Sequence, residues 1–172
     1  MGQAMPKPAL RPMLPADVAV LATIFAESIE ELTQDDYTEA QRAAWASHAD
    51  DEAALAARLA AQLTLVATLQ GAPVGFASLK DNAHIDMLFV HPAAAGQGVA
   101  SVLIDALEKL AMARGTATLT VDASDTAHGF FQHRGYVDQR RNSVTVADEW
   151  LANTTMMKTL APAGASSAGP TQ

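Results

Sequence analysis

Cysteine is absent from the 172 residues of this chain. Its absence excludes a disulfide framework, a thiolate nucleophile and a zinc site built on cysteine. Basic residues are scarce, because 11 Lys and Arg stand against 19 Asp and Glu, which gives a formal net charge of -8. A protein that binds nucleic acid needs a basic surface, so we expect no nucleic-acid partner.

Long apolar runs are missing as well. No stretch approaches the ~20 apolar residues of a membrane-spanning helix, although 49% of the residues are hydrophobic, as in a globular protein. The first residues are too polar and too rich in proline for a secretory signal. The five histidines show no metal-binding spacing such as HExxH. We therefore expect a cytoplasmic protein with no membrane partner and no metal.

The length of the chain predicts one domain with a sizeable core. Its end, APAGASSAGPTQ, consists of small and polar residues and has the low complexity that is typical of a disordered segment. We predict a single domain over residues 1–162 and a disordered tail over residues 163–172.

The stretch at residues 84–113 organises the rest of the chain. Residues 84–90 are short and mostly apolar, as a buried strand should be, and Pro92 ends that strand. Gly96 and Gly98 allow a tight turn. A helical apolar stripe follows, made of Val99, Leu103, Ala106, Leu107 and Leu110. Free N–H groups at the start of this helix would suit a phosphate, although an ordinary strand–turn–helix connection would also use glycines here.

Two motifs in the chain resemble those of a known family. VHPAAAGQGVA, at residues 90–100, resembles the V-x-P-x-x-[RQ]-x-x-G-x-[GA] motif with which GNAT N-acetyltransferases bind acetyl-CoA. Ala95 stands where the family usually has Arg or Gln. VDASDTAHGFFQHRGY, at residues 121–136, resembles the second GNAT motif, V-x-x-[NS]-x-x-A-x-x-[LF]-[YF]-x-x-x-G-[FY]. The resemblance covers about residues 9–160.

The order of the predicted elements also resembles the GNAT fold. We expect strands at residues 9–14, 63–69, 74–79, 84–90, 116–123, 136–145 and 153–159, and helices at residues 15–32, 38–45, from 50 onward, 99–113 and 125–134. The strands on either side of the central helix should be parallel neighbours. We therefore predict an α/β fold, namely a single GNAT-like domain. Its sheet is mixed and mostly antiparallel, with a splayed parallel strand pair at the glycine turn and flanking helices.

The resemblance implies acetyl-CoA as the co-substrate. Its pantetheine arm would enter between the splayed strands and pair with backbone groups of the first strand. Its pyrophosphate would lie against the glycine turn, where Gln97 could replace the polar side chain missing at residue 95. The implied cofactor-binding residues are Leu88, Phe89, Val90, Gly96, Gln97, Gly98, Val99, Ala100, Ser101, Ser124 and Phe131. Ser124 could equally be a helix N-cap, and Phe131 occupies the position where the family often has a tyrosine as general acid.

His84 and Asp86 are the candidate catalytic bases. Two residues apart on one strand, they should project from the same face. A carboxylate on a half-buried strand should have a raised pKa, and an imidazole titrates near neutrality. Either could take the proton of an ammonium group. The structural alternatives are an exposed histidine at the strand end and a hydrogen-bonded structural carboxylate.

An acidic segment lies near the N-terminus, with nine carboxylates between residues 27 and 52 against Arg42 alone. Aromatic residues are only 5% of the chain, yet Tyr37 and Trp45 lie in this segment, which lines the acceptor site in GNAT proteins. Carboxylates and aromatic faces attract cations. We therefore predict that Tyr37 and Trp45 bind a small-molecule amine, with a peptide or protein amine as the second option. A solvated acidic face and simple packing of the two rings are the alternatives.

The sequence thus predicts an N-acetyltransferase that moves an acetyl group from acetyl-CoA to an amine. The alternative is a catalytically silent module of the same fold that binds or senses CoA, which Ala95 and Phe131 favour. A homodimer is left open as an assembly.

Overall fold

The computed structural model describes residues 6–160, so the predicted tail at residues 163–172 lies outside the described residues. In this part of the chain, seven strands form one sheet in the order β1-β2-β3-β4-β5-β7-β6. The strands are β1 (Ala9–Pro12), β2 (Leu63–Leu69), β3 (Ala72–Lys80), β4 (His84–Val90), β5 (Thr118–Ser124), β6 (Val137–Val146) and β7 (Glu149–Thr159). The α-helices are α1 (Val18–Leu32), α2 (Glu39–Ala46), α3 (Glu52–Ala60), α4 (Val99–Ala113) and α5 (His128–His133).

The parallel pair of the sheet consists of β4 and β5, and the other neighbouring strands are antiparallel. Its pairing is short, because it joins only His84 to Thr120 and Ile85 to Val121. Beyond Ile85 the two strands separate, and the edge of β4 that faces β5 has no strand partner there. The predicted mixed sheet with a splayed parallel pair and flanking helices is therefore confirmed.

Helices cover both faces of the sheet. The apolar stripe of α4 packs on one face, in a core that contains Leu103, Leu107 and Leu119. The stripe of α1 packs on the other face together with α3, in a second core that contains Phe25, Leu59 and Phe76. No helix within residues 6–160 combines the length and the apolar character that crossing a membrane requires.

A β-bulge interrupts the pairing of β3 with β4. Ser78 lies opposite Met87 and Leu79 lies opposite Ile85, so Asp86 has no residue opposite it. A bulge inserts one residue and reverses the alternation of side chains beyond it. Ile85 accordingly packs in the core under α4, while Met87 packs in the core under α1.

Some element boundaries differ from the prediction. The helix α5 begins at His128 rather than at residue 125, because the chain from Ser124 to Ala127 forms a turn. Ala127 donates its N–H to the Ser124 carbonyl and to the Ser124 hydroxyl, each at 3.1 Å. The strand β7 begins at Glu149, earlier than predicted, because its first residues pair with the end of β6 in a long hairpin.

Candidate active site

Two cavities meet where β4 and β5 separate. The larger has a volume of about 550 Å³ and lies beside the glycine turn, and the smaller has a volume of about 300 Å³ and lies toward α3 and β7. Both are lined by Trp45, Leu88, Phe89, Ser124 and Ala127. Because they share these residues, the two cavities adjoin at the gap between the strands.

The larger cavity contains the start of α4. Gly96 and Gly98 have φ angles of +78° and +80°, a left-handed conformation that glycine adopts without strain. The N–H of Val102 makes a hydrogen bond to the Gly98 carbonyl at 3.1 Å. The amides of the preceding helical residues have no acceptor within the helix, and they point out of its N-terminus. Gly96, Gly98, Val99, Ala100 and Ser101 line the cavity here, so this end of it offers hydrogen-bond donors and partial positive charge.

The open edge of β4 connects the two cavities. Leu88 and Phe89 line both of them, and Val90 lines the larger. Backbone amides and carbonyls along such an edge need partners. An extended ligand with amide groups could pair with them, as another strand would.

Three further residues that were predicted to bind the cofactor, Ser124, Phe131 and Gln97, differ in which cavity they line. Ser124 lines both cavities, and its hydroxyl oxygen accepts the Ala127 N–H within the turn that precedes α5. The N-cap of α5 is Ala127, so Ser124 is not the helix N-cap that was the alternative interpretation. Phe131 is buried and lines the smaller cavity, with its ring in a T-shaped contact with Tyr136. Gln97 lines neither cavity, and its side chain donates to the Ala93 carbonyl at 3.3 Å.

Asp86 lies in the wall of the smaller cavity, on the bulge of β4. Arg58 donates to its two carboxylate oxygens at 2.6 and 2.9 Å, and Gln62 donates at 2.9 Å. Burial alone would raise the pKa of the Asp86 carboxyl, but the hydrogen bonds from Arg58 and Gln62 outweigh burial and hold this pKa below its ordinary value. The predicted rise in this pKa is therefore wrong in direction.

His84 lines the same cavity as Asp86. Its Nδ1 lies 2.7 Å from the Thr120 hydroxyl, and its Nε2 lies 3.8 Å from a carboxylate oxygen of Asp122. The side chain of His84 is 30% exposed, so its ring can be reached from the cavity.

Tyr37 is buried, and both hydrogen-bonding functions of its hydroxyl are used. The hydroxyl donates to the Ala152 carbonyl at 2.7 Å and accepts the Asp125 N–H at 2.9 Å. Burial raises the pKa of the Tyr37 hydroxyl. Tyr37 therefore joins the α1–α2 loop to the turn after β5 and to β7, and only its ring is available to the smaller cavity.

Trp45 lines both cavities where they adjoin, in T-shaped contacts with the rings of Tyr37 and Phe89. The carboxylates of the acidic segment between residues 27 and 52 do not line either cavity, which corrects the expectation that they form the wall of the acceptor site. Several have other partners: Glu27 contacts His91, Asp36 accepts from Thr126, and Asp51 caps α3. The rings of this segment face the smaller cavity, but its charges do not.

Other residues of the smaller cavity were not predicted. Arg58 and His48 line it from the helical segment, and Asp122 lines it from β5. Arg58 follows Leu55 by three positions on α3, so the two side chains lie on neighbouring parts of the helix surface. This spacing was the sequence signal that could have placed Arg58 beside the buried stripe of α3. Within residues 6–160, no His, Asp and Glu side chains are grouped as three or more potential metal ligands.

Comparisons with known proteins agree with this geometry. The model of the acetyltransferase (GNAT) domain family matches residues 33–160. The uncharacterized N-acetyltransferase YafP of Escherichia coli (strain K12) is 35% identical over 144 residues, which are 84% of this chain and 91% of YafP.

Solved structures show the same likeness. The GCN5-related N-acetyltransferase "Aminotransferase, Class-II" from Rhodopseudomonas palustris is 64% identical, with a TM-score of 0.89 over 93% of this chain and 100% of that one. PaiA N-acetyltransferase from Thermoplasma acidophilum, in complex with coenzyme A, shares the fold at 18% identity, with a TM-score of 0.73 over 89% of this chain and 99% of that one. With its family-model match, its curated relative and its splayed strand pair, the chain belongs to the GNAT family of acetyltransferase enzymes.

Proposed function

We propose that this protein transfers the acetyl group of acetyl-CoA to the amine of a small molecule. The observation that carries the proposal is the junction of the two cavities at the separated strands β4 and β5. A donor in one cavity and an acceptor in the other would meet at this gap, and holding two reactants together is a large part of catalysis.

Acetyl-CoA fits the larger cavity. The unpaired amides at the start of α4 suit its pyrophosphate, as helix N-termini suit phosphates in general. The open edge of β4 at Leu88, Phe89 and Val90 suits the amides of its pantetheine arm, and the Ser124 hydroxyl can donate to that arm. The coenzyme A bound to PaiA, which has the same fold, supports this assignment.

The acceptor fits the smaller cavity, whose volume of about 300 Å³ matches a small molecule. We propose that it enters as an ammonium ion, because Trp45 and Tyr37 present rings and Asp122 presents a carboxylate there. The carboxylates of the acidic segment contribute nothing to this wall, so recognition of the cation rests on fewer charged groups than the sequence predicted. A homodimer and a cytoplasmic location stay predictions.

The reaction needs a base, because an ammonium ion is not nucleophilic. Of the two predicted bases, we propose His84 rather than Asp86. Arg58 and Gln62 bind the Asp86 carboxylate and lower its pKa, which makes it a weak proton acceptor. When bound, acetyl-CoA supplies the thioester carbonyl, and a backbone N–H of β4 can polarise it. Phe131 has no proton to donate, so the departing thiolate takes its proton from the reacting amine or from water.

The proposal is tested by incubating the purified protein with acetyl-CoA and a panel of primary amines. Thiol release and the acetylated amine are measured together. The expected result is equal production of both with at least one amine. Binding of acetyl-CoA by calorimetry without turnover of any amine would instead favour the silent CoA-binding module.

A further inference from the structure

We infer that Asp122 and His84 together form the ammonium-binding and proton-accepting site of the smaller cavity. This inference rests on the proposed function, because it assigns the acceptor site within it. It adds Asp122, which no motif singles out, as the residue that orients the acceptor and stabilises the positive charge.

The ring of His84 is held by Thr120. The Thr120 hydroxyl faces the Ala83 carbonyl at 3.5 Å and can donate to it, so its oxygen is free to accept from His84 Nδ1 at 2.7 Å. We assign the proton of the neutral ring to Nδ1 from these contacts. The lone pair of Nε2 then points toward Asp122 and is available as a base.

The carboxylate of Asp122 is held by a chain of side chains on β6 and β7. Thr155 donates to Asp122 Oδ1 at 2.6 Å, and Asn142 in turn donates to the Thr155 hydroxyl at 2.8 Å. The second oxygen, Oδ2, faces His84 Nε2 at 3.8 Å. Within residues 6–160, no Lys or Arg forms an ion pair with Asp122.

The gap between the two groups suits an ammonium ion. Both His84 Nε2 and Asp122 Oδ2 are acceptors, and 3.8 Å is too long for a direct hydrogen bond. A group with several N–H donors can bridge them, with one hydrogen bond of ordinary length to each. The side chain of Asp122 is 48% exposed, so a ligand can reach it.

The other charged groups of the cavity do not compete for this position. Asp86, the second carboxylate of the lining, is occupied by Arg58 and Gln62. The remaining titratable groups that face the cavity are Tyr37, His48 and Arg58. Arg58 is paired with Asp86, and the Tyr37 hydroxyl is bound to backbone groups. The Asp122 carboxylate therefore supplies the uncompensated negative charge.

The proton and bond balance is simple. One N–H proton of the bridging ammonium passes to His84 Nε2, and Asp122 stabilises the imidazolium. The neutral amine attacks the thioester carbonyl carbon, so that a C–N bond forms and the C–S bond breaks. A second amine proton passes to the thiolate to give CoA, and His84 returns its proton to solvent.

Ammonium binding is tested without any turnover, by NMR titration of the full-length protein with benzylammonium and with the neutral benzyl alcohol. We expect benzylammonium to shift the amide resonances of residues 84 and 122 and to bind roughly tenfold more tightly than the alcohol, the scale of a hydrogen bond to a charged group. Asp122→Asn should remove this difference, and Asp105→Asn, on α4, should keep it. Equal binding of the two probes, no binding, or an unchanged difference in Asp122→Asn would overturn the inference.

Kinetics separate the two roles. Asp122→Asn should raise the KM for the amine by roughly tenfold, while His84→Gln should lower kcat by about 10²–10⁴-fold, as for a general base. The loss in His84→Gln should shrink as rising pH deprotonates the amine in solution. Thr155→Val should raise the KM and Thr155→Ser should restore it, because only serine keeps the hydroxyl that holds Asp122. Wild-type parameters in both Asp122→Asn and Thr155→Val would contradict the assignment even if the protein is an active acetyltransferase.

Discussion

Arg58 and Asp86 form an ion pair with two hydrogen bonds across the wall of the smaller cavity, from Nε to Oδ2 at 2.6 Å and from Nη2 to Oδ1 at 2.9 Å. The pair joins α3 to the bulge of β4, which is the strand whose open edge faces both cavities. An Arg–carboxylate pair of this geometry fixes orientation as well as charge. Asp86 therefore acts on the site mainly by holding β4 in place.

The first prediction concerns the acid stability of this pair. The folded-state pKa of Asp86 is lowered, so the unfolded chain binds the proton first as the pH falls below about 4. The contribution of the pair to the free energy of unfolding is present above that range and is lost as the pH falls through the folded-state pKa. Asp86→Asn should be less stable than the wild type at neutral pH, and the difference should shrink in acid.

Urea unfolding at a series of pH values measures this difference. Asp105→Asn serves as the control for the loss of one negative charge, since the Asp105 side chain is half-exposed on α4, where it pairs with Lys109 and lies 3.8 Å from Arg134. The prediction would be contradicted if the difference in the free energy of unfolding between wild type and Asp86→Asn stayed constant down to acid pH. Protonation of Asp86 would then not remove the stabilisation that the prediction assigns to the ion pair.

The second prediction concerns the glycine turn. Gly98→Asp would force a side chain into a left-handed conformation, at a φ of +80°, and would bring a negative charge to the unpaired amides of α4. Acetyl-CoA binding, measured by calorimetry, should be lost. Gly71→Asp is a matched control, because Gly71 has a φ of +85° in the β2–β3 turn and lines neither cavity. If both variants bound acetyl-CoA like the wild type, the turn would not be the pyrophosphate site.

The third prediction concerns Gly75 on β3, where the strand approaches α4 closely. A Cβ at this position would lie 2.9 Å from Val99 Cγ1 and 3.1 Å from the Phe89 carbonyl oxygen. Gly75→Ala should cost about 1–3 kcal/mol of unfolding free energy, as overpacking usually does. It should also weaken acetyl-CoA binding, because Val99 lines the larger cavity.

Denaturant unfolding of a double variant checks the cause. Val99→Ala removes the methyl group that Gly75→Ala would strike, so the two substitutions together should cost less than the sum of their separate effects. Gly129→Ala, on α5, is a control without a steric clash, since a Cβ there meets no atom outside its own helix within 4 Å, and it should not lower the free energy of unfolding. Additive costs for Gly75→Ala and Val99→Ala would contradict the proposed contact.

The fourth prediction concerns the hydroxyl of Tyr37. Tyr37→Phe leaves the Ala152 carbonyl without its donor and the Asp125 N–H without its acceptor. We expect the free energy of unfolding to fall by about 1–3 kcal/mol, the usual cost of buried groups left unpaired. The kcat should remain near the wild-type value. A large loss of kcat with unchanged stability would instead identify Tyr37 as the missing general acid.

Much of the fold could be predicted from the sequence because its signals are local. The apolar stripe after Gly98 marks α4, and the alternating and apolar runs mark the strands. The parallel placement of β4 and β5 follows from the crossover helix between them. The pairing of Asp86 with Arg58 could not be predicted in this way, since the two residues are 28 positions apart on different elements.

The site was harder to predict because its geometry depends on a single inserted residue and on hydrogen bonds between residues that are far apart in the sequence. The bulge at Asp86 is one inserted residue, and the regular alternation of side chains that we assumed for β4 does not continue beyond it. The hydroxyl of Tyr37 bonds to a carbonyl 115 positions away, which the acidic residues around Tyr37 do not reveal. Asp122 fills a variable position of the second GNAT motif, so only the three-dimensional structure brings it to His84.

The most direct test of the account is a crystal structure of the protein with coenzyme A. We expect the pyrophosphate at the amides of Val99, Ala100 and Ser101, and the pantetheine arm along the open edge of β4. We also expect the thiol at the gap between Leu88 and Ser124, directed toward the smaller cavity. Coenzyme A bound elsewhere, or bound with its thiol directed away from His84 and Asp122, would contradict the account.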